Sequence, residues 1–164
     1  MTARMPVVRQ MSWRATLPQL AALGIAASIG WLLTRSTEGV VWGTLVYLVY
    51  SFGSRSLLLR AHRRGMHHSK LQQYSEAIRE FESSYSFFSR NSWIDRYRSI
   101  TMMSPSAISY REMALANIAF SYSQLGQGTN AKAYYQRALD EFPNSMMARA
   151  ALRLIESVEN PNRA

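Results

Sequence analysis

The sequence contains no cysteine among its 164 residues. Structural disulfides, thiolate catalysis and cysteine-ligated zinc are therefore excluded. The short motifs of other common chemistries are also missing, since there is no G-x-S-x-G turn, no phosphate-binding glycine loop and no H-E-x-x-H pair. From these absences we expect neither an enzyme nor a bound cofactor.

Acidic residues are scarce in the first 70 positions, where Glu38 is the sole acid against nine lysines and arginines. Residues 71–164 hold ten bases and nine acids, so the net charge of +9 comes mostly from the first part of the chain. A nucleic-acid-binding domain is expected to have a basic stripe on its folded part. We therefore expect no nucleic-acid partner.

A run of residues without charge, 17–33, follows a basic segment at residues 1–14. As a helix this run spans about 25 Å, and residues 15, 16 and 34 bring it close to the roughly 20 residues that cross a bilayer. It predicts a transmembrane helix. A cleaved signal peptide or a mitochondrial presequence would show the same pattern. A second apolar run follows at once and argues against cleavage.

The second apolar run, residues 40–52, is short for a span, but it extends to Leu59 if Arg55 reaches the headgroups. The segment between the runs is long enough only for a tight turn. Together they predict a transmembrane helical hairpin over residues 15–59, with Trp13, Trp31 and Trp42 near its ends, where such rings favour the membrane interface. The alternative is a soluble hairpin that packs on the rest of the chain.

Basic residues predict the orientation of the hairpin. Three arginines precede the first span and Arg55, Arg60, Arg63 and Arg64 follow the second, whereas only Arg35 lies in the turn. Both termini should therefore face the cytoplasm, in a bacterial inner membrane or, alternatively, an organellar one. Arg60, Arg63 and Arg64 would lie at the membrane surface, where each contributes about 1 kcal/mol near anionic lipids. Setting the topology is an equally good explanation for these three bases.

Residues 110–143 have the spacing of a helical hairpin. Ala131 and Ala138 are small, Tyr135 lies between them, a glycine-containing turn precedes them and Pro143 ends the run. This pattern resembles the tetratricopeptide repeat. The resemblance implies two antiparallel helices that serve as a protein-binding scaffold, and it implies no chemistry.

Residues 60–92 repeat the pattern, with Gly65, Ala77 and Phe81 at the corresponding positions. A helical insertion is expected at residues 93–109 between the two repeats, capped by Ser92 with Asp95. Its apolar face would contain Trp93, Ile94, Tyr97, Ile100 and Thr101. Ser109 with Glu112 predicts the start of the second repeat. Residues 144–159 should form a capping helix, followed by a tail at residues 160–164.

The whole arrangement resembles small bacterial membrane proteins in which a two-span hairpin precedes such repeats with this insertion. The family groove is lined by the first helix of each repeat. The resemblance thus places a binding groove for an unidentified protein or peptide at His62, Met66, Lys70, Asn117, Phe120 and Gln124. Only Asn117 matches the clamp that some members use for a peptide carboxylate, so that activity is not expected.

The three histidines, His62, His67 and His68, do not have the helical spacing at which metal ligands converge, and we expect no metal. The predicted protein is all-α: a membrane hairpin, two repeats and a cap. Its predicted role is an adaptor that holds a partner at the cytoplasmic face of a membrane. A structural or assembly subunit of a larger membrane complex is the alternative. Because two repeats are fewer than the usual three, self-association or the insertion would supply the missing burial.

Overall fold

The computed structural model describes residues 13–104 and 106–159, and these residues form helices and no β-strand, which confirms the all-α class. In chain order the helices of this part are α1 Trp13–Thr34, α2 Thr37–Leu58, α3 Arg60–Lys70, α4 Tyr74–Arg90, α5 Ser92–Arg96, α6 Arg98–Thr101, α7 Tyr110–Gln124, α8 Gly128–Glu141 and α9 Met146–Glu159. The chain divides into two compact units, Met1–Leu57 with Arg96–Ile108, and Leu58–Asp95 with Ser109–Ala164. Most of the predicted basic segment, the side chain of Trp13 and the tail lie outside the described residues.

In the first unit α1 and α2 form a closely packed hairpin. Only two residues separate the helices, and the first of them, Arg35, takes a left-handed backbone φ of 53°. Gly30, Gly39 and Gly43 lie so close to the facing helix that a Cβ on any of them would overlap its backbone. Small residues permit this approach, which larger side chains would prevent.

The outward surface of this hairpin is apolar. On α2 the exposed large side chains between Gly39 and Gly53 are Val40, Val41, Trp42, Leu45, Val46, Leu48, Val49, Tyr50 and Phe52. On α1 they are Leu17, Leu20, Ile25, Ile29, Trp31, Leu32 and Leu33. The small and polar residues Gly39 and Ser51 of α2 are instead buried. This polarity is the reverse of that of a hairpin in water, whose polar residues face outward.

Within the described residues one helix is both long and apolar enough to cross a membrane, at Thr16–Thr34, and none of its residues in this range is buried. The second predicted span, in α2, is not apolar enough on average to be identified in the same way. The helix there is longer than the apolar run, because α2 covers 22 residues from Thr37 to Leu58. Glu38, Arg55 and several serines and tyrosines lower its average hydropathy.

The insertion corrects the sequence-based prediction. Two short helices, α5 and α6, replace the single amphipathic helix and are separated at Tyr97. Of the predicted apolar face, Ile94 is buried, whereas Trp93, Tyr97 and Ile100 are 59%, 55% and 53% exposed. Just beyond the end of α6, the Met102 carbonyl accepts a hydrogen bond from Arg55 Nε of α2 at 2.8 Å. Periodicity counts assume an unbroken helix and miss this tertiary bond.

Two helical hairpins, α3–α4 and α7–α8, build the second unit. In the first, Gly65 faces the ring of Phe81, and a Cβ on Gly65 would lie 2.7 Å from that ring. In the second, Ala131 and Ala138 are completely buried. Both hairpins therefore use small residues where their helices approach most closely.

The two hairpins stack in the same sense. Met66 of α3 lies beside Asn117 of α7, and Tyr134 of α8 donates a hydrogen bond to Glu82 of α4 at 3.0 Å. The hairpins pack mainly through α4 against α7, and these two contacts join the first helices to each other and the second helices to each other on either side of that packing.

The last helix, α9, packs on α8 and places Ala148 and Leu152 in the buried core. Its outer side exposes the polar residues Arg149, Arg153 and Glu156, as expected of a capping helix, but also large apolar ones. Met146, Leu154 and Val158 are 74%, 67% and 76% exposed. This end of the second unit therefore presents apolar side chains.

Candidate functional site

The surface formed by α3 and α7 contains most of the residues predicted to line a binding groove. Met66 and Asn117 are brought together, with 3.7 Å between Asn117 Nδ2 and Met66 Sδ. Phe120 is partly buried and meets the ring of Tyr74 edge-on at 6.3 Å. An apolar and amide-bearing strip therefore runs between the two helices.

Two further groove residues lie at the ends of their helices. Lys70 is exposed as the last residue of α3, and Gln124 is half-buried as the last residue of α7. The structure does not bring either of them into the Met66–Asn117 contact. They would meet only a partner that extends along the strip.

His62 lies in the core and not on the open surface of the predicted groove. Its side chain is 8% exposed, and its ring lies 5.5 Å from that of Phe81 and 5.4 Å from that of Tyr110. Its Nδ1 has no hydrogen-bond partner. Burial lowers the pKa of His62 to about 4 and keeps the ring neutral at pH 7. The sequence missed this because Tyr110 lies 48 positions away.

A polar network that the sequence analysis did not detect joins α4, α7 and α8. Glu141 accepts hydrogen bonds from Tyr85 and from Arg111. Arg137 pairs with the same carboxylate at 3.3 Å and lies over the Tyr85 ring at 4.5 Å. Among these contacts, only the Arg137–Glu141 ion pair could be predicted from the sequence, because its two residues are four apart on one helix. The other partners are distant in sequence.

Tyr134 extends this network beside a shallow depression of about 290 Å³. Burial, reinforced by the hydrogen bond to Glu82, raises the pKa of the Tyr134 hydroxyl to about 12. The hydroxyl therefore stays protonated at physiological pH. Because these acids, bases and tyrosines pair with one another, the network's evident role is to hold the two hairpins together.

Two side chains, one near each end of the insertion, accept hydrogen bonds from the N-terminus of α7. Asp95 accepts hydrogen bonds from the backbone N–H groups of Tyr110 at 2.9 Å and Arg111 at 3.2 Å. Ser109 Oγ accepts one from the Glu112 N–H at 3.0 Å, which confirms the predicted cap. The first N–H groups of a helix lack partners within the helix, and negative charge is favourable there. Asp95 was expected to cap its own helix at the surface, but it is 3% exposed and caps α7 instead.

Replacing Asp95 with alanine should lower the free energy of unfolding by about 2 kcal/mol, because two buried N–H groups lose a charged acceptor. Thermal unfolding of the detergent-solubilised full chain, followed by circular dichroism, measures the change. Asp140→Ala is the matched control, since Asp140 is exposed and accepts a bond only from Gln136 of its own helix. A loss no greater than the control's would contradict the capping role.

The predicted membrane-surface residues, Arg60, Arg63 and Arg64, are all exposed. The rings of His67 and His68 are neighbours on the same helix, with 6.1 Å between their centroids. In the part of the chain that the structure describes, no three His, Cys, Asp or Glu side chains come together as metal ligands would.

The surface between α3 and α7, the apolar hairpin and the basic side of α3 are therefore the features that bear on function. The chain matches no protein family, no curated protein and no solved structure.

Proposed function

We propose that the chain is a membrane-anchored helical-repeat scaffold, an adaptor that binds a protein partner at the cytoplasmic face of a membrane. The α1–α2 hairpin crosses the membrane twice, and the α3–α4 and α7–α8 hairpins are tetratricopeptide-like repeats. The observation that carries this proposal is the reversed polarity of α2, whose apolar residues face outward.

The outward face of α2 is the strongest argument for a second span. The average hydropathy of α2 combines two faces of the helix, and Gly39 and Ser51, which lower that average, are buried. The exposed residues from Val40 to Phe52 are all apolar or aromatic. Leaving a large apolar side chain in water costs about 1.5–3 kcal/mol, so a water-exposed hairpin of this kind would be strongly disfavoured. Lipid removes that cost.

The dimensions of the hairpin fit a bilayer. Each helix has 22 residues and is about 33 Å long, close to the roughly 30 Å of a hydrocarbon core. Trp31 and Trp42 are exposed near the turn, where indole rings suit an interface. Arg55 and the insertion lie near the opposite end. With more bases at that end than in the turn, the termini are cytoplasmic, in a bacterial inner membrane or alternatively an organellar one.

The second unit supplies the scaffold. Two hairpins stacked in one sense, with small residues at Gly65, Ala131 and Ala138, support the tetratricopeptide-like assignment. The α3–α7 strip offers Met66, a side chain that adapts easily to different partners, next to the amide of Asn117. A helix or an extended peptide of a partner protein could lie along such a strip.

The alternative role, a structural or assembly subunit of a membrane complex, is favoured by one observation. Met146, Leu154 and Val158 expose an apolar stripe on α9. A permanent companion subunit, or a second copy of this chain, would cover it.

Photo-crosslinking in native membranes distinguishes the two roles. A photoreactive amino acid at Asn117 tests the α3–α7 strip, one at Leu154 tests α9, and one at the exposed Gln136 is the control. A partner captured at Asn117 and lost on Met66→Ala supports the adaptor. Capture only at Leu154 supports the subunit. Crosslinks only between copies of this chain at both positions would contradict the adaptor.

A further inference from the structure

The exposed side of α3 is strongly basic. Arg60, Arg63, Arg64, His67 and Lys70 are all exposed, and their spacing puts them along one side of the helix. Arg64 lies 4.0 Å from the carboxylate of Glu80, and the arginine side chain stays 69% exposed. In the described part of the chain Arg60, Arg63 and Lys70 form no ion pair. This basic stripe is therefore not neutralised by its own unit.

Packing fixes the direction in which the basic stripe points. The opposite side of α3 is buried against α4 through His62, Gly65 and Ser69, with Gly65 in contact with Phe81. If α3 rotated so that the stripe faced α4, this buried side would be exposed. A residue with a side chain would then have to replace Gly65 against the ring of Phe81, where a Cβ does not fit. The five basic-stripe side chains consequently remain available to a partner outside the second unit.

The basic stripe begins immediately after the hairpin that we propose to span the membrane. Leu59 alone separates the end of α2 at Leu58 from the start of α3 at Arg60. At the helical rise, Arg60 to Arg64 lie within about 10 Å of chain from the end of α2. That distance is comparable to the Debye length, roughly 8 Å at physiological salt, so charges of a lipid surface reach them.

We propose that the basic stripe of α3 binds the headgroups of anionic phospholipids, a proposal that rests on the membrane anchoring argued above. Guanidinium groups donate paired hydrogen bonds to phosphate oxygens, and lysine adds a further cation. Each such base near an acidic leaflet increases the affinity of the chain for the anionic membrane surface about fivefold. The binding would hold α3, and with it the first repeat, at the bilayer surface.

Lipid explains the basic stripe better than nucleic acid does. The stripe follows one helix of 11 residues, about 16 Å long, whereas residues 71–164 hold ten bases and nine acids. A nucleic-acid site would need basic charge that continues across the folded surface. A membrane, in contrast, is already present at the first residue of α3.

Lipid retention by the full-length chain tests the proposal. The protein is reconstituted in bilayers of phosphatidylcholine with phosphatidylglycerol and released for native mass spectrometry, which counts each bound lipid. The wild type should be enriched in phosphatidylglycerol, and the triple variant Arg60→Gln, Arg63→Gln, Arg64→Gln should lose about tenfold or more of that enrichment. The matched variant Arg79→Gln, Arg149→Gln, Arg153→Gln removes the same charge from exposed positions away from the start of α3 and should keep it.

A second variant separates loss of charge from loss of folding. Replacing the same three arginines of α3 with lysine keeps the charge and should keep most of the enrichment. Equal enrichment in the wild type and the glutamine variant would overturn the proposal, as would equal losses in the lysine and glutamine variants. Displacement of the lipid by an RNA oligonucleotide at physiological salt would also overturn it.

The same preparation separates this inference from the proposed anchoring. If alkaline carbonate releases the wild-type chain from membranes, the anchoring itself is wrong and the lipid site falls with it. If the chain stays in the membrane but shows no preference for phosphatidylglycerol, only the lipid site is contradicted.

Discussion

Replacing Gly43 with leucine should lower the free energy of unfolding by about 3 kcal/mol or more, the largest effect that we expect of a single substitution. A Cβ at this position overlaps the Ala26 carbonyl of the facing helix. A backbone cannot move aside as a flexible side chain does, so α1 and α2 must separate along their length. The loss of helical circular dichroism on heating the detergent-solubilised chain measures the change.

Gly24→Leu is the matched control for this substitution. Gly24 lies on α1, is exposed and has no atom within 4 Å of the position of an added Cβ. The control should change the free energy of unfolding by less than about 0.5 kcal/mol. If the two variants unfold at the same temperature, the close packing of the hairpin does not determine its stability.

Stability should fall by about 3 kcal/mol when the pH is lowered from 7 to 4, because of His62. Burial lowers the pKa of His62 from 6.5 to about 4, so the unfolded chain takes up the proton first as the pH decreases. The contribution of neutral His62 is complete above pH 6.5 and is lost as the pH falls toward 4. Denaturant unfolding of the full chain at several pH values measures this slope.

Two substitutions isolate His62 from the carboxylates that titrate in the same range. His62→Leu leaves an uncharged side chain among the same rings and should flatten the slope between pH 4 and 6.5. His67→Leu changes an exposed histidine and should leave the slope as in the wild type. A wild-type slope in the His62 variant would mean that this histidine is not what couples folding to pH.

Local signals in the sequence predicted helix boundaries well where the chain supplies its own partners. Ser109 and Glu112 indicated the start of α7 because a capping side chain bonds an N–H three residues away. The turn after α7 was indicated by its glycines, and Gly126 takes a φ of 73° that favours glycine. In the insertion the same approach failed, because Arg98 bonds the carbonyls of Ser106 and Ala107 eight and nine positions away and Met102 bonds Arg55 of α2, and neither contact has a local signal.

The candidate binding surface was predictable only in part. Met66 and Asn117, which the predicted repeat alignment placed in the same groove, meet although they are 51 positions apart. The same alignment predicted that His62 lines the groove, yet the rings of Phe81 and Tyr110 pack against its side chain. The spacing specifies which side of a helix a residue occupies, and the size of its neighbours specifies whether that side is open.

Composition and periodicity by themselves determined that this protein is helical, has no thiol chemistry and contains a charge-free apolar run, because these are properties of short stretches of chain. Only the tertiary structure decided that α2 buries Gly39 and Ser51 and turns most of its large apolar side chains outward. It also decided that Asp95 caps α7. Both outcomes depend on which surfaces face each other once the helices pack, and an average over a stretch of sequence does not contain that information.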